Sequence, residues 1–202
     1  MEILIRLEQE SDFKEVENLT REAFWDLYKP GCNEHLLVHK IRKVPAFVRE
    51  LSYVACYGDL IVGNIIYSRA KIVNDQNLSY EVLCMGPFGV LPQYQHKGIG
   101  SQLMEKTLQA ARDLGYKAVI IYGNPKYYLR FGFENAGEYQ ITTSAGYNFD
   151  AFMALEMNRN SLTGIKGKFY EDKVFEIENE ELEAFEKGFP YKEKHVTETQ
   201  LK

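Results

Sequence analysis

Apolar and polar residues alternate weakly over residues 1–7, which predicts a short strand. Val16, Leu19, Ala23, Phe24 and Leu27 then recur at helical spacing, after a cap candidate at Ser11 or Asp12. Pro30-Gly31 breaks that helix, and a second helical stretch covers Glu34–Arg42. Tyr53–Tyr57 and Leu60–Tyr67 read as strands around a Gly58-Asp59 hairpin turn, and Ala70–Val73 continues the sheet. Asn74–Asn77 is a polar turn, and Tyr80–Val90 is a strand interrupted by Gly86-Pro87. Ile99, Leu103, Met104, Leu108 and Ala111 form one face of a long helix over Gly98–Leu114, with Gly115 as its C-cap. Ala118–Tyr122 is a buried-strand pattern, followed by a short helix at Tyr127–Phe131 and further strands. Hairpins followed by a strand–helix–strand unit predict a mixed α/β domain around one sheet.

Composition narrows the function classes. A chain of 202 residues, 45% hydrophobic and 26% charged, suits a globular protein with a sizeable core. No apolar run reaches the roughly 18 residues of a membrane helix, and the N-terminus shows no signal peptide, so no membrane partner is expected. Cys32, Cys56 and Cys84 are odd in number and widely spaced, which predicts reduced thiols and a cytoplasmic location. The net charge of −5 lies in residues 171–202, which hold ten acids and five bases. The rest is neutral, so no nucleic-acid partner is expected, since that would need a basic footprint.

The segment Gly89-Val90-Leu91-Pro92-Gln93-Tyr94-Gln95-His96-Lys97-Gly98-Ile99-Gly100-Ser101 carries the most chemistry. A strand ends, a glycine turn follows and a helix begins at once. Glycines bring the backbone close to a ligand, and N–H groups at a helix start favour an anion. Neither a mononucleotide P-loop nor a dinucleotide fingerprint fits, because the lysine and the third glycine are absent. What remains is Gln-x-x-Gly-x-Gly, from Gln95 to Gly100.

That turn resembles the acyl-CoA pyrophosphate loop of the GCN5-related N-acetyltransferases (GNAT). Tyr-x-x-x-Gly-Phe at 128–133, after a strand and a short loop, resembles their second cofactor motif. The phrasing of both segments is most similar to the "predicted N-acetyltransferase" branch. The resemblance implies a central twisted mixed sheet flanked by helices, with a splayed strand pair that binds acyl-CoA. The domain is expected over 1–160, with 161–202 an extension packed on it.

The resemblance also implies transfer of an acetyl group from acetyl-CoA to a primary amine by direct attack in a ternary complex. The amine belongs to a small molecule or is an exposed amino group. Backbone groups of Gln95, Lys97, Gly98, Ile99, Gly100 and Ser101 map onto pyrophosphate binding, with Lys97 adding a charge-assisted contact. Phe88 and Val90 map onto the pantetheine arm, and Asn124 and Tyr127 onto further cofactor contacts. A backbone N–H near Phe88 or Gly89 would polarise the thioester, where Gly86-Pro87 implies a bulge. Tyr128 maps onto the general acid, with Tyr127 its rival by one register step. Glu81 is the candidate general base, alongside the plain reading of a solvated strand charge. Homodimers are common in that family, so a homodimer stays open. An acyl-CoA sensor without turnover is the alternative, in which Tyr128 would be dispensable.

Other constellations are discounted. Cys32, His35 and His39 lack a fourth ligand, so no metal is expected, and the histidines read as helical surface residues. Cys84 reads as a buried structural thiol. Phe24, Trp25 and Tyr28 read as core or pocket lining. Glu176, Glu178, Glu180, Glu181, Glu183 and Glu186 read as a solvated helix face anchored by Leu182, Phe185 and Phe189, or as a fringe favouring cationic amines near the acceptor entrance.

Overall fold

The computed structural model describes residues 2–198 and 200. The strands are β1 (Leu4–Leu7), β2 (Tyr53–Tyr57), β3 (Leu60–Val73), β4 (Ser79–Val90), β5 (Ala118–Tyr122), β6 (Glu134–Asn135), β7 (Ile141–Thr142), β8 (Phe152–Glu156) and β9 (Gly167–Tyr170). The α-helices are α1 (Phe13–Phe24), α2 (Glu34–Ile41), α3 (Ile99–Asp113), α4 (Pro125–Tyr128) and α5 (Asn179–Glu186). The sheet runs β1-β2-β3-β4-β5-β8-β6, and β9 pairs with both β3 and β7. Its pairing is mostly antiparallel; β4 with β5 and β7 with β9 are parallel. This is the mixed sheet with flanking helices that the sequence predicts. Among the described residues, no helix is long and apolar enough to cross a membrane.

The chain divides into two compact units. The first comprises residues 1–66, 87–104 and 173–202. Its core joins Val16 and Leu19 of α1, Val38 and Ile41 of α2, Val54 and Cys56 of β2, and Ile61 and Ile66 of β3. Beside it, Arg42 pairs with Glu8 and lies 3.0 Å from Glu17, all with side chains nearly or fully withdrawn from water. The second unit comprises 67–86 and 105–172. Phe133, Phe152, Phe169, Ile72, Leu83 and Ile120 are fully buried there, and the buried Tyr67 hydroxyl meets Thr107 Oγ1 at 2.8 Å. The apolar face of α3 is buried as its periodicity predicts, from Ile99 through Ala111.

Four expectations need correction. Asp12 does not cap α1 with its side chain. Its carboxylate accepts from the Gln9 N–H at 2.7 Å and from Arg6 at 2.6 Å, and the Arg6 guanidinium holds it below the ordinary carboxylate range. The first helix ends at Phe24, so Leu27 lies outside it. Asp26 takes φ +58° and closes a loop by pairing its backbone N–H with Gly31 O at 3.0 Å. His35 is not a surface residue but is fully buried, between the rings of Phe185 and Phe189. Nor are the acids of α5 all solvated. Glu186 accepts from Arg21 Nε at 2.8 Å and stands 2.8 Å from His35 Nε2, while Glu181 pairs with Lys40 at 2.5 Å. Phe185 and Phe189 do anchor the helix, because they bring those charges onto α1 and α2.

Candidate active site

In the first unit, β4 ends at Val90 and the turn runs from Leu91 into α3. Leu91 N–H donates to Val62 O at 2.9 Å, which ties the turn to β3. Pro92–Tyr94 form a single 3₁₀ turn. Gly98 takes φ +80°, a conformation that a side chain strains and glycine adopts freely. The α3 ladder opens with Gln102 N–H donating to Gly98 O at 3.1 Å. In an α-helix the N–H groups ahead of that bond have no intrahelical acceptor. Here they belong to Ile99, Gly100 and Ser101. The Ile99 side chain is buried, so this open first turn is anchored by its own apolar residue.

Two side chains named from the sequence stitch the turn itself. Gln95 Nε2 donates to Val90 O at 3.0 Å. Lys97 Nζ donates to Gln93 O at 2.8 Å and sits 5.1 Å from the Tyr94 ring centre. Gln95 thus braces the loop with its side chain, and its own backbone N–H donates to Pro92 O at 3.3 Å. Just upstream, Gly89 packs directly on α1: an added Cβ would stand 3.1 Å from Ala23 Cβ and 3.3 Å from Phe24. Phe24 faces Tyr28 at 6.3 Å between ring centres. Trp25 instead joins the C-terminal segment, donating Nε1–H to Glu193 O at 2.9 Å.

In the second unit, β4 pairs with β5 at Leu83↔Val119 and Cys84↔Ile120. Gly86, at φ +137°, follows two residues later, and Pro87 after it. The predicted bulge position therefore coincides with the point where β4 runs on past its pairs with β5. Glu81 is exposed on the early part of β4. Beyond β5, Gly123 N–H donates to Ala151 O at 2.8 Å, and Asn124 caps α4 by accepting from Lys126 N–H at 3.0 Å. Asn124 therefore spends its side-chain oxygen on starting the helix. The Tyr128 ring sits close against Gly123: a Cβ at Gly123 would stand 2.2 Å from Tyr128 Cε2. Tyr128 also meets Tyr127 edge-on at 5.0 Å and Phe133 at 5.6 Å. Only glycine at 123 permits this placement.

Three features here escape the sequence reading. Tyr122, Phe149, Phe152 and Phe169 form one aromatic cluster at the end of β5. Burial and the charge of Glu171 hold the Tyr122 phenol well above its ordinary range. Burial, then Glu171, does the same to the Cys84 thiol. The aromatic residue closing the apolar run 118–122 was the available signal for this cluster. Cys32, Cys56 and Cys84 are all free and buried. Among the described residues, no group of three His, Cys, Asp or Glu is arranged to hold a metal.

Residues 49–135 match the family model described as an acetyltransferase (GNAT) domain. The chain is 27% identical over 165 residues to the "Uncharacterized N-acetyltransferase YhbS" of Escherichia coli strain K12, spanning 82% of this chain and 93% of that protein. The crystal structure of YhbS from Escherichia coli in complex with CoA is similar at a TM-score of 0.76 and 26% identity, over 86% of this chain and 91% of that one. A GNAT family acetyltransferase from Brucella melitensis, in complex with acetyl-CoA, is similar at a TM-score of 0.70 and 25% identity, over 87% and 99%.

Proposed function

The chain belongs to the GNAT superfamily, and on that footing we propose that it is an N-acetyltransferase moving the acetyl group of acetyl-CoA to a primary amine by direct attack in a ternary complex. The observation that carries the reading is the turn into α3, where Gly98 at φ +80° opens the first-turn N–H groups of Ile99, Gly100 and Ser101 to an anion. That chemistry suits a pyrophosphate. Relatives that hold CoA and acetyl-CoA support the same cosubstrate.

In this mechanism the turn from Gln95 to Ser101 binds the pyrophosphate through backbone N–H groups. Phe88 and Val90 offer backbone groups to the pantetheine arm, as a strand edge does to a peptide. The N–H near Phe88 or Gly89 stabilises the oxyanion that forms when the amine attacks. Tyr128 gives its phenolic proton to the departing thiolate, and its contacts with Gly123 and Phe133 fix the ring for that task. Asn124 and Tyr127 serve the cofactor side of α4. Glu81 is the candidate for taking the amine's proton, acting through solvent from its exposed position. Residues 1–160 form the catalytic domain, with 161–202 an extension on it. The free, buried thiols fit a cytoplasmic enzyme.

Calorimetric titration with acetyl-CoA tests the reading. Wild type binds, and a Gly98→Asp/Gly100→Asp variant of retained fold does not, because its carboxylates block the turn and repel the pyrophosphate. Failure of folded wild type to bind would overturn the proposal. Tyr128→Phe then separates enzyme from sensor: it keeps binding in both, but loses turnover only in the enzyme.

A further inference from the structure

A cavity of about 480 Å³ opens in the first unit, bounded by α5, the loop that follows α1 and the C-terminal segment. That volume lies in the range of small-molecule sites. No residue of the turn from Gln95 to Ser101 lines it, so the pyrophosphate reading does not account for it. Trp25, Cys32, Leu182 and Phe189 supply an apolar wall. That wall is held in place. Trp25 Nε1–H donates to Glu193 O at 2.9 Å, and Arg21 Nη2 donates to Pro190 O at 3.1 Å. The Arg21 guanidinium lies 4.3 Å from the Trp25 ring centre. Phe189 stands edge-on to the buried His35 ring at 5.2 Å.

The charges on the wall do not cancel. Glu183, Glu186, Lys187, Lys192 and Lys194 all line the cavity. Glu186 is committed to Arg21, whose Nε donates to it at 2.8 Å. Lys192 is committed to Glu22 at 2.6 Å. Glu183 and Lys187 stand four residues apart at the end of α5, where opposite charges offset each other. Lys194 is left over, with no carboxylate partner among the described residues. Its stem runs along Gly31, where an added Cβ would meet Lys194 Cε at 3.0 Å. One uncompensated ammonium therefore stands beside an apolar wall, where water screens a charge less than in the open. A cationic ligand gains nothing there, because both acids are already matched.

We propose that this cavity is a second small-molecule site and that it takes an amphipathic monocarboxylate. The apolar body of the ligand packs on Trp25, Leu182 and Phe189, and its carboxylate accepts from Lys194. A neutral molecule of the same shape keeps the apolar contact and forfeits the charged one. The proposal stands apart from the transferase reading, since it uses no residue assigned to acetyl-CoA or to proton transfer.

Trp25 is the only tryptophan of the chain, so its fluorescence reports on this wall. The test titrates 3-phenylpropanoate and its neutral amide, 3-phenylpropanamide, into the full chain while following that emission. The acid should change the emission saturably and bind about tenfold more tightly than the amide, as expected for one charge-assisted contact. Lys194→Gln should remove most of that preference and leave the amide's affinity unchanged. Glu183→Gln should act in the opposite sense and strengthen the acid severalfold, because it frees Lys187. Both side chains are exposed, so each variant should keep the fold, which circular dichroism checks. Equal affinity for the two probes, no emission change with the acid, or a preference unmoved in both variants would overturn the proposal.

Discussion

Replacing His35 with glutamine should flatten part of the acid-stability curve of this protein. His35 is fully buried, with Phe185 at 5.5 Å and Phe189 at 5.2 Å between ring centres. Its Nδ1 faces the Cys32 thiol at 3.4 Å, and its Nε2 lies 2.8 Å from Glu186 but off the line of the ring N–H. Burial pushes the imidazole down from 6.5 to about 4, with Arg21 and Lys194 adding to the fall and Glu186 opposing it. Above pH 6.5 both folded and unfolded chains hold a neutral ring, so the group contributes its full stability there. Between about 6.5 and 4 the unfolded chain takes up a proton that the folded chain refuses, so stability drops as pH falls. Each pH unit in that window is worth about 1.4 kcal/mol, so the whole window is worth about 3 kcal/mol. That is a large share of the roughly 5–15 kcal/mol of a typical domain. Urea unfolding of wild type and His35→Gln from pH 7.5 to 4.5 measures it. Other groups titrate alike in both proteins, so the difference between the curves isolates the histidine. Wild type should lose about 2 kcal/mol more than the variant by pH 5. Parallel curves would refute the reasoning, because they would mean that His35 binds its proton as readily folded as unfolded.

Three further outcomes follow from the same contacts. Gly123→Ala sets a Cβ 2.2 Å from the Tyr128 ring, so the ring must leave its seat. Turnover should fall at least as far as in Tyr128→Phe, while titration shows acetyl-CoA affinity within a fewfold of wild type. Gly98→Ala forces a side chain into φ +80°, which costs about 1–2 kcal/mol; thermal melting should register that loss, and acetyl-CoA affinity should weaken with it. Glu8→Gln leaves the Arg42 guanidinium short of its buried carboxylate, and chemical denaturation should show a loss of about 3 kcal/mol or more. Should Glu8→Gln prove neutral, Glu17 at 3.0 Å must be able to carry Arg42 alone.

The parts of this fold that could be read from the chain are those whose physics is local. The α3 face from Ile99 to Ala111 is a matter of period, and its burial follows. The turn before α3 is equally legible, since Gly98 marks the left-handed residue and the apolar Ile99 marks the anchor. Asp12 misled because two structures compete for its carboxylate; the 3₁₀ turn with Gln9 and the guanidinium of Arg6 outbid the helix end. His35 misled for a different reason. Its neighbours Phe185, Phe189 and Glu186 arrive from the far end of the chain, and no period within α2 announces them. The reacting end of the site divides along the same line. Tyr128 is proposed as the acid from its spacing to Gly132-Phe133. What seats it is Gly123, which reads as an ordinary strand end until the ring is placed against it. The Tyr122 cluster is further still from the sequence, because it needs the β5–β8 register to set Phe152 opposite Tyr122 and β9 to deliver Phe169. The proposed pyrophosphate turn is thus built from one continuous segment, whereas the aromatic cluster is assembled from three. A substitution in the turn is therefore expected to act on acetyl-CoA binding directly, whereas the aromatic cluster answers to changes in β8 and β9 as well as in β5.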